Sequence, residues 1–253
     1  MAREQFGKLF CAARTAAIKH PLKNEKIGPF YIGQVLPLVV VPLKALRTMT
    51  SVGPITFPLD GYDAVIFDCD GTLVDSMPAH FEAWCEALAL HGAGGVFKED
   101  VFIAMGGRPT LDIVIDLNSQ NDLKLDPEAV AFAKRESFLK RMPAVRLIKE
   151  VAEFAESLRG KKPMGIATGG TRMVVEKTLQ AVGCSDWFDE VVTADDVKEG
   201  KPSPEIFLRA AELLGVEPSR CLVLEDAPAG ILAAQRAGMQ VIAIPSPLES
   251  FPS

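Results

Sequence analysis

The stretch Ala64-Val65-Ile66-Phe67-Asp68-Cys69-Asp70-Gly71-Thr72 decides how the chain is read. Its first four residues are apolar without interruption. A strand with one face in water alternates apolar and polar residues, whereas a strand covered on both faces is apolar throughout, so 64–67 reads as a buried strand of a parallel sheet. That strand ends abruptly in two carboxylates one residue apart. In open α/β sheets ligands bind beyond the carboxyl ends of the strands, which makes Asp68 and Asp70 the first candidates for chemistry.

Outward from this point the same pattern recurs. Short apolar runs stand at Met164-Gly165-Ile166-Ala167, Val191-Val192, Cys221-Leu222-Val223-Leu224 and Val241-Ile242-Ala243-Ile244. Helical patterns over 171–182 and 204–214 supply crossovers, so the fold class is α/β, a doubly wound parallel sheet. Almost one hundred residues separate the first run from the second. A crossover needs roughly a dozen, so a segment is inserted there. It reads as helical over 79–91, 98–105, 110–118 and 127–141, with Pro127 placed as a first-turn residue after Asp126. The expected organisation is a core domain over 61–77 and 143–253 with a small helical cap domain over 78–142. The connections lie near 76–78 and 142–145, where Pro78 and Pro143 limit helix continuation.

The whole chain sets outer bounds. Its 253 residues are 48% hydrophobic and 24% charged, an ordinary globular composition with room for an enclosed site. The formal charge of -6 excludes a broad basic face for nucleic acid and points to a small ligand. Five scattered cysteines, Cys11, Cys69, Cys85, Cys184 and Cys221, form no Cys-x-x-Cys pair, which fits a reducing compartment. Cys69 reads as a small buried residue rather than a reactive one. Residues 1–48 carry eight Lys and Arg against Glu4 and Glu25. The apolar run 32–43 is broken by Pro37 and Pro42 and is shorter than the roughly 20 residues a bilayer demands, so no membrane span is expected. This leader reads either as an organelle transit peptide or as sequence upstream of a true start at Met49. The corresponding location is the organelle matrix or the cytoplasm, with a monomer expected.

Polar residues cluster after the other apolar runs. Thr168-Gly169-Gly170 follows the second, Lys201 precedes the helix near Pro204, and Glu225-Asp226 follows the fourth. The set suits phosphoryl transfer: one carboxylate attacks phosphorus, a second handles protons, and oxygen ligands hold a hard cation. Asp68, Asp70, Thr168 and Lys201 are the catalytic candidates. A phosphate dianion beside four carboxylates requires Mg²⁺ as a screen, with Lys201 and the Thr168 hydroxyl on the phosphoryl oxygens. An EF-hand calcium loop is excluded because a strand, not a helix, precedes Asp68.

Asp68-Cys69-Asp70-Gly71-Thr72, Thr168, Lys201-Pro202 and Glu225-Asp226 together resemble the four motifs of the haloacid dehalogenase superfamily, over roughly residues 61–245. The resemblance implies an aspartyl-phosphate at Asp68, acid/base work by Asp70, and Mg²⁺ held by Asp68, the Asp70 carbonyl, Glu225 and Asp226. The dehalogenases that name the superfamily lack the second aspartate, so Asp70 favours phosphoryl transfer. The insertion resembles the cap of the β-phosphoglucomutase-like group, and His80-Phe81-Glu82-Ala83-Trp84 resembles its His-Phe-Arg-Ala-Trp segment. This implies His80 as a link between Asp70 and the cap, with Trp84 in the cap core. Mutases carry Gly-x-Ser-Arg where this chain has Gly106-Gly107-Arg108-Pro109-Thr110. The pattern is closer to fructose-1-phosphate and 6-phosphogluconate phosphatases, whose Gly-Ser-Pro-Thr and Arg-Pro-Met segments align with 107–110 and Lys162-Pro163-Met164. Arg108, Lys134, His80 and Gly169 are then the substrate-binding candidates. The implied function is a Mg²⁺-dependent phosphatase acting on a small sugar or polyol phosphate. The alternatives are a β-phosphoglucomutase interconverting β-glucose 1-phosphate and glucose 6-phosphate, and a non-catalytic binding protein.

Overall fold

A computed structural model describes residues 49–52, 55–58 and 60–245, so the leader reading of 1–48 lies outside the described residues. Strands β1 (Met49–Val52) and β2 (Ile55–Pro58) pair antiparallel. After β3 (Ala64–Phe67) comes the short β4 (Val74–Asp75), then four helices: α1 (Met77–Leu90), α2 (Glu99–Ala104), α3 (Thr110–Asn121) and α4 (Pro127–Arg141). The chain returns through β5 (Arg146–Leu147), which pairs antiparallel with β4. It then alternates α5 (Lys149–Leu158), β6 (Met164–Ala167), α6 (Arg172–Ala181), β7 (Glu190–Val192), α7 (Glu205–Leu214), β8 (Cys221–Glu225), α8 (Pro228–Arg236) and β9 (Gln240–Ala243).

The central sheet has the order β7-β6-β3-β8-β9, and every neighbouring pair in it is parallel. Alternate residues of β3 point to opposite faces, and both faces are dry. Val65 and Phe67 pack with Phe154, Val175 and Leu179 on one side. Ala64 and Ile66 pack with Ile206, Phe207, Ala210 and Ala233 on the other. This two-sided burial is the physical origin of the unbroken apolar run. Register then fixes the site: Phe67 pairs with Ile166 of β6 and Leu224 of β8. Asp68, Thr168 and Glu225 therefore leave the sheet at one edge.

The four helices between β4 and β5 form a second apolar cluster built on Trp84, Phe97, Phe102, Ile113, Leu117 and Val130. Trp84 is thus a core residue of the cap. Helix α4 starts as read from the sequence, with the Asp126 side chain accepting from the Glu128 and Ala129 amides and Pro127 in the first turn. One reading is corrected. Helix α1 begins at Met77 and contains Pro78 in its first turn, where the missing N–H leaves no helical bond unmade, so Pro78 does not stop the helix. Pro143 lies in a 3₁₀ turn, Met142–Ala144, between α4 and β5.

The β1–β2 pair, the β4–β5 pair, α5 and α8 were not anticipated. The first of these contributes Phe57, fully buried and stacked on Phe154 of α5 with ring centroids 4.1 Å apart. Among the described residues no helix is long and apolar enough to cross a membrane. Phe57→Ala removes one ring of that stack, and we expect it to lower the unfolding free energy by about 3–5 kcal/mol. Denaturant unfolding measures this directly, and a loss below about 1 kcal/mol would show that β2 is not integral to the core.

Candidate active site

Asp68 follows the last residue of β3, and its amide donates to the Leu224 carbonyl of β8, which fixes its backbone. Its side chain is buried, and Oδ1 accepts a hydrogen bond of 2.6 Å from Lys201 Nζ. The same ammonium donates to Glu225 Oε1 at 3.1 Å. Glu225 Oε2 in turn accepts from the Asp226 and Ala227 amides at 2.7 and 3.1 Å. Burial alone would neutralise Lys201, but the charges of Asp68 and Glu225 outweigh it and raise the ammonium's pKa above the ordinary lysine value. Burial, and then the charge of Glu225, push the Asp68 carboxyl well above its usual range despite Lys201.

Two glycines make this packing possible. A Cβ on Gly230 of α8 would lie 1.5 Å from Glu225 Oε1, so only glycine lets the helix approach. Gly71 has φ +88°, and a Cβ there would lie 2.3 Å from Asp226 Oδ2. From the sequence, Gly71 stands only as part of the Asp68–Thr72 stretch, and Gly230 gives no signal, since a Gly in the first turns of a helix after a Pro is too common to stand out.

Ligand atoms of Asp68, Glu225 and Asp226 all lie within 4.8 Å of one another. Burial first, and then Glu225, lift Asp226 to about 7, against the Thr72 hydroxyl that donates to its Oδ1 at 3.0 Å. Carboxylates that repel one another this strongly are relieved by a divalent cation, and an all-oxygen donor set suits a hard one. The donors are not equivalent. Both oxygens of Glu225 are engaged by Lys201 and by backbone amides, whereas Asp226 Oδ2 faces the space that Gly71 leaves open. Asp70 adds no side-chain oxygen to this cluster.

The Asp70 carboxylate instead faces the cap. Its Oδ1 accepts from Ser76 Oγ at 2.6 Å and lies 3.0 Å from His80 Nε2, though that contact is poorly aligned for a hydrogen bond. His80 Nδ1 is 3.0 Å from Lys134 Nζ. A protonated Lys134 donates there, which assigns the imidazole proton to Nε2, facing Asp70. Burial lowers the His80 pKa, Lys134 adds to this, and Asp70 opposes it. For Asp70, burial would raise the pKa, but His80 and the Ser76 hydroxyl outweigh it and hold the carboxyl well below its usual range. Burial brings Lys134 down to about 8. Its partial exposure is to the cavity. The imidazole also stacks on Phe138 of α4 with centroids 3.8 Å apart. Ser76 had been read only as part of a connection, because a lone Ser before a helix signals no more than a cap.

A cavity of about 500 Å³ lies between sheet edge and cap. Asp68, Asp70, His80, Arg108, Lys134, Thr168 and Gly169 all line it, which brings together the sequence-derived candidates from core and cap. Lys201, Glu225 and Asp226 are not among its lining residues. Thr168 is buried, and its Oγ1 accepts from the Gly170 amide at 3.2 Å. Arg108 Nη1 donates to Asp116 Oδ2 at 2.6 Å, a partner not anticipated from sequence. Burial, then Asp70 and Asp68, push the Cys69 thiol well up, which agrees with an inert buried residue.

A family model described as haloacid dehalogenase-like hydrolase matches residues 62–238. The fructose-1-phosphate phosphatase YqaB of Escherichia coli is 37% identical over 188 residues, covering 72% of this chain and 95% of that protein. The validoxylamine A 7'-phosphate phosphatase of Streptomyces hygroscopicus is 37% identical over 183 residues, covering 70% and 83%. Among solved structures, CbbY from Rhodobacter sphaeroides in complex with phosphate superposes with a TM-score of 0.66 at 26% identity, covering 73% of this chain and 87% of that one.

The carboxylate cluster sets a pH dependence. A carboxyl whose folded pKa is raised binds more protons in the folded state, so its contribution to stability is present at low pH and lost as pH rises through the folded value, here about 7 for Asp226. A divalent cation bound to this cluster would replace those protons. Mg²⁺ is therefore expected to raise the melting temperature more at pH 8 than at pH 5.5, and the difference should shrink in Asp226→Asn, where only Asp68 still carries a raised pKa. Equal shifts at both pH values would contradict this assignment of the cation site.

Proposed function

We propose that this chain, which belongs to the haloacid dehalogenase-like hydrolase family, is a Mg²⁺-dependent phosphatase of a small sugar or polyol phosphate. The observation that carries the reading is the buried Lys201 ammonium 2.6 Å from Asp68 Oδ1, with Asp70 two residues on lining the cap-covered cavity. Lys201 and the Asp68 amide bond to Leu224 hold the nucleophile in one orientation. Asp68 attacks phosphorus, the ester P–O bond breaks, and the leaving oxygen takes a proton from Asp70. Water then attacks the aspartyl-phosphate, gives its proton to Asp70, and releases phosphate with Asp68 regenerated.

Asp70's low pKa suits the second half of this cycle, where it acts as a base. In the first half, a bound phosphate dianion beside it raises the pKa toward the protonated form that an acid requires. Asp68 and Asp226, with the Asp70 carbonyl, would hold Mg²⁺, which neutralises phosphoryl charge when bound. Glu225 serves mainly to hold Lys201 and the 226–227 loop. Thr168 and Lys201 are the phosphoryl-oxygen donors, and Arg108 and Lys134 reach the organic part. A polyhydroxylated substrate agrees with the charged side chains Arg108, Asp112, Glu128, Lys134 and Arg135 that the cap adds to a largely apolar lining, and with the phosphates that the relatives' names specify.

Purified protein with Mg²⁺ should release phosphate from members of a sugar- and polyol-phosphate panel, and Asp68→Asn should reduce release to background. Silence across the panel would leave the non-catalytic reading. Conversion of β-glucose 1-phosphate to glucose 6-phosphate with little free phosphate, dependent on a bisphosphate activator, would establish a mutase instead. Arg108→Ala should raise KM for the best sugar phosphate at least about tenfold while sparing hydrolysis of p-nitrophenyl phosphate. Equal loss on both substrates would refute a role for Arg108 at the sugar end.

A further inference from the structure

Arg108 is held from three directions. On its N-terminal side, the Gly107 carbonyl lies 2.7 Å from where a Cβ on Gly169 would be. On its C-terminal side, the Pro109 ring lies 2.4 Å from where a Cβ on Gly200 would be. The residues flanking Arg108 thus rest on two core loops at positions where only glycine leaves room. The third constraint is Asp116, a turn and a half along α3, whose Oδ2 accepts from Arg108 Nη1 at 2.6 Å. Both side chains are partly buried, at 27% and 37% exposure, so their attraction is less screened than at an open surface. Arg108 lines the cavity and Asp116 does not.

The charges around the non-reacting end decide what this pair does. Besides Arg108, and with the reacting pair Asp68 and Asp70 set aside, the cations lining the cavity are Lys134, Arg135 and Lys198, and the carboxylates are Asp112, Glu128 and Asp195. These six balance. Arg108 is the surplus positive charge, and Asp116 behind it cancels that surplus. A substrate carrying a second phosphate needs an uncompensated cation there, whereas hydroxyl groups need only an oriented donor, because a neutral acceptor gains little from net charge.

We infer that Asp116 is a specificity-determining positioning residue, which by holding and neutralising Arg108 makes the cavity select polyhydroxylated monophosphates over bisphosphates. The inference rests on the phosphatase reading and deepens it. It is tested with the full chain and its Asp116→Asn and Asp116→Glu variants on fructose 1-phosphate, fructose 1,6-bisphosphate and p-nitrophenyl phosphate. In Asp116→Asn, KM for the monophosphate should rise and the bisphosphate-to-monophosphate ratio of kcat/KM should increase about fivefold or more, the effect of about 1 kcal/mol. The kcat for p-nitrophenyl phosphate should stay within about twofold, because that substrate does not depend on the sugar end. Asp116→Glu should restore the wild-type ratio. An unchanged ratio in a variant of unaltered melting temperature overturns the inference, as does an equal loss on all three substrates. A wild-type protein inactive on all three would instead overturn the phosphatase reading and this inference with it.

Discussion

Lys201 between Asp68 and Glu225 is the interaction on which the site depends. Three charged groups leave water together there, with both carboxylates and the ammonium almost wholly buried. Such a cluster adds little net stability, because desolvation offsets most of the Coulomb attraction, but removing one member strands the others at a cost of about 3–5 kcal/mol. What the cluster provides is position. The β3–β8 register brings Asp68 beside Glu225, Gly230 lets α8 close on Glu225, and the Glu225 carboxylate holds the backbone that carries Asp226. One ammonium therefore orders the nucleophile candidate and, through Glu225, the cation candidate.

The second candidate carboxylate belongs as much to the cap as to the core. Asp70 is bonded to Ser76, which precedes α1, and it faces His80 one turn into that helix, with Lys134 of α4 behind. Its proton affinity is consequently tied to the placement of two cap helices. The cap loop at 106–109 meets the core again through Gly169 and Gly200, so the lid contacts the site on both sides of the cavity. On the proposed mechanism, substrate recognition by Arg108 and proton handling by Asp70 depend on the same placement.

Much of this was legible in the sequence where the physics is local or periodic. The unbroken apolar run before Asp68 encodes two-sided burial, and Pro127 after Asp126 encodes a helix start, so strands β3, β6 and β8 and helix α4 fall where expected. Candidates at strand ends converge because parallel register leaves them no other place. Contacts set by three-dimensional packing were not legible. Gly230 matters only because Glu225 is opposite it, Asp116 only because Arg108, just before α3, reaches along that helix, and Phe57 only because Phe154 offers a ring. Pro78 was misjudged because a proline that ends one helix begins another, and the distinction lies in where Ser76 starts the turn.

The central claim is that Asp68 becomes covalently phosphorylated. Its most direct test is acid quenching of the enzyme during turnover of a ³²P-labelled sugar phosphate, followed by peptide mapping. Acid-stable, hydroxylamine-labile label on the peptide containing Asp68, absent in Asp68→Asn, is the result this account requires. Steady phosphate release with no protein-bound label at any quench time, or label that persists in Asp68→Asn, would contradict it.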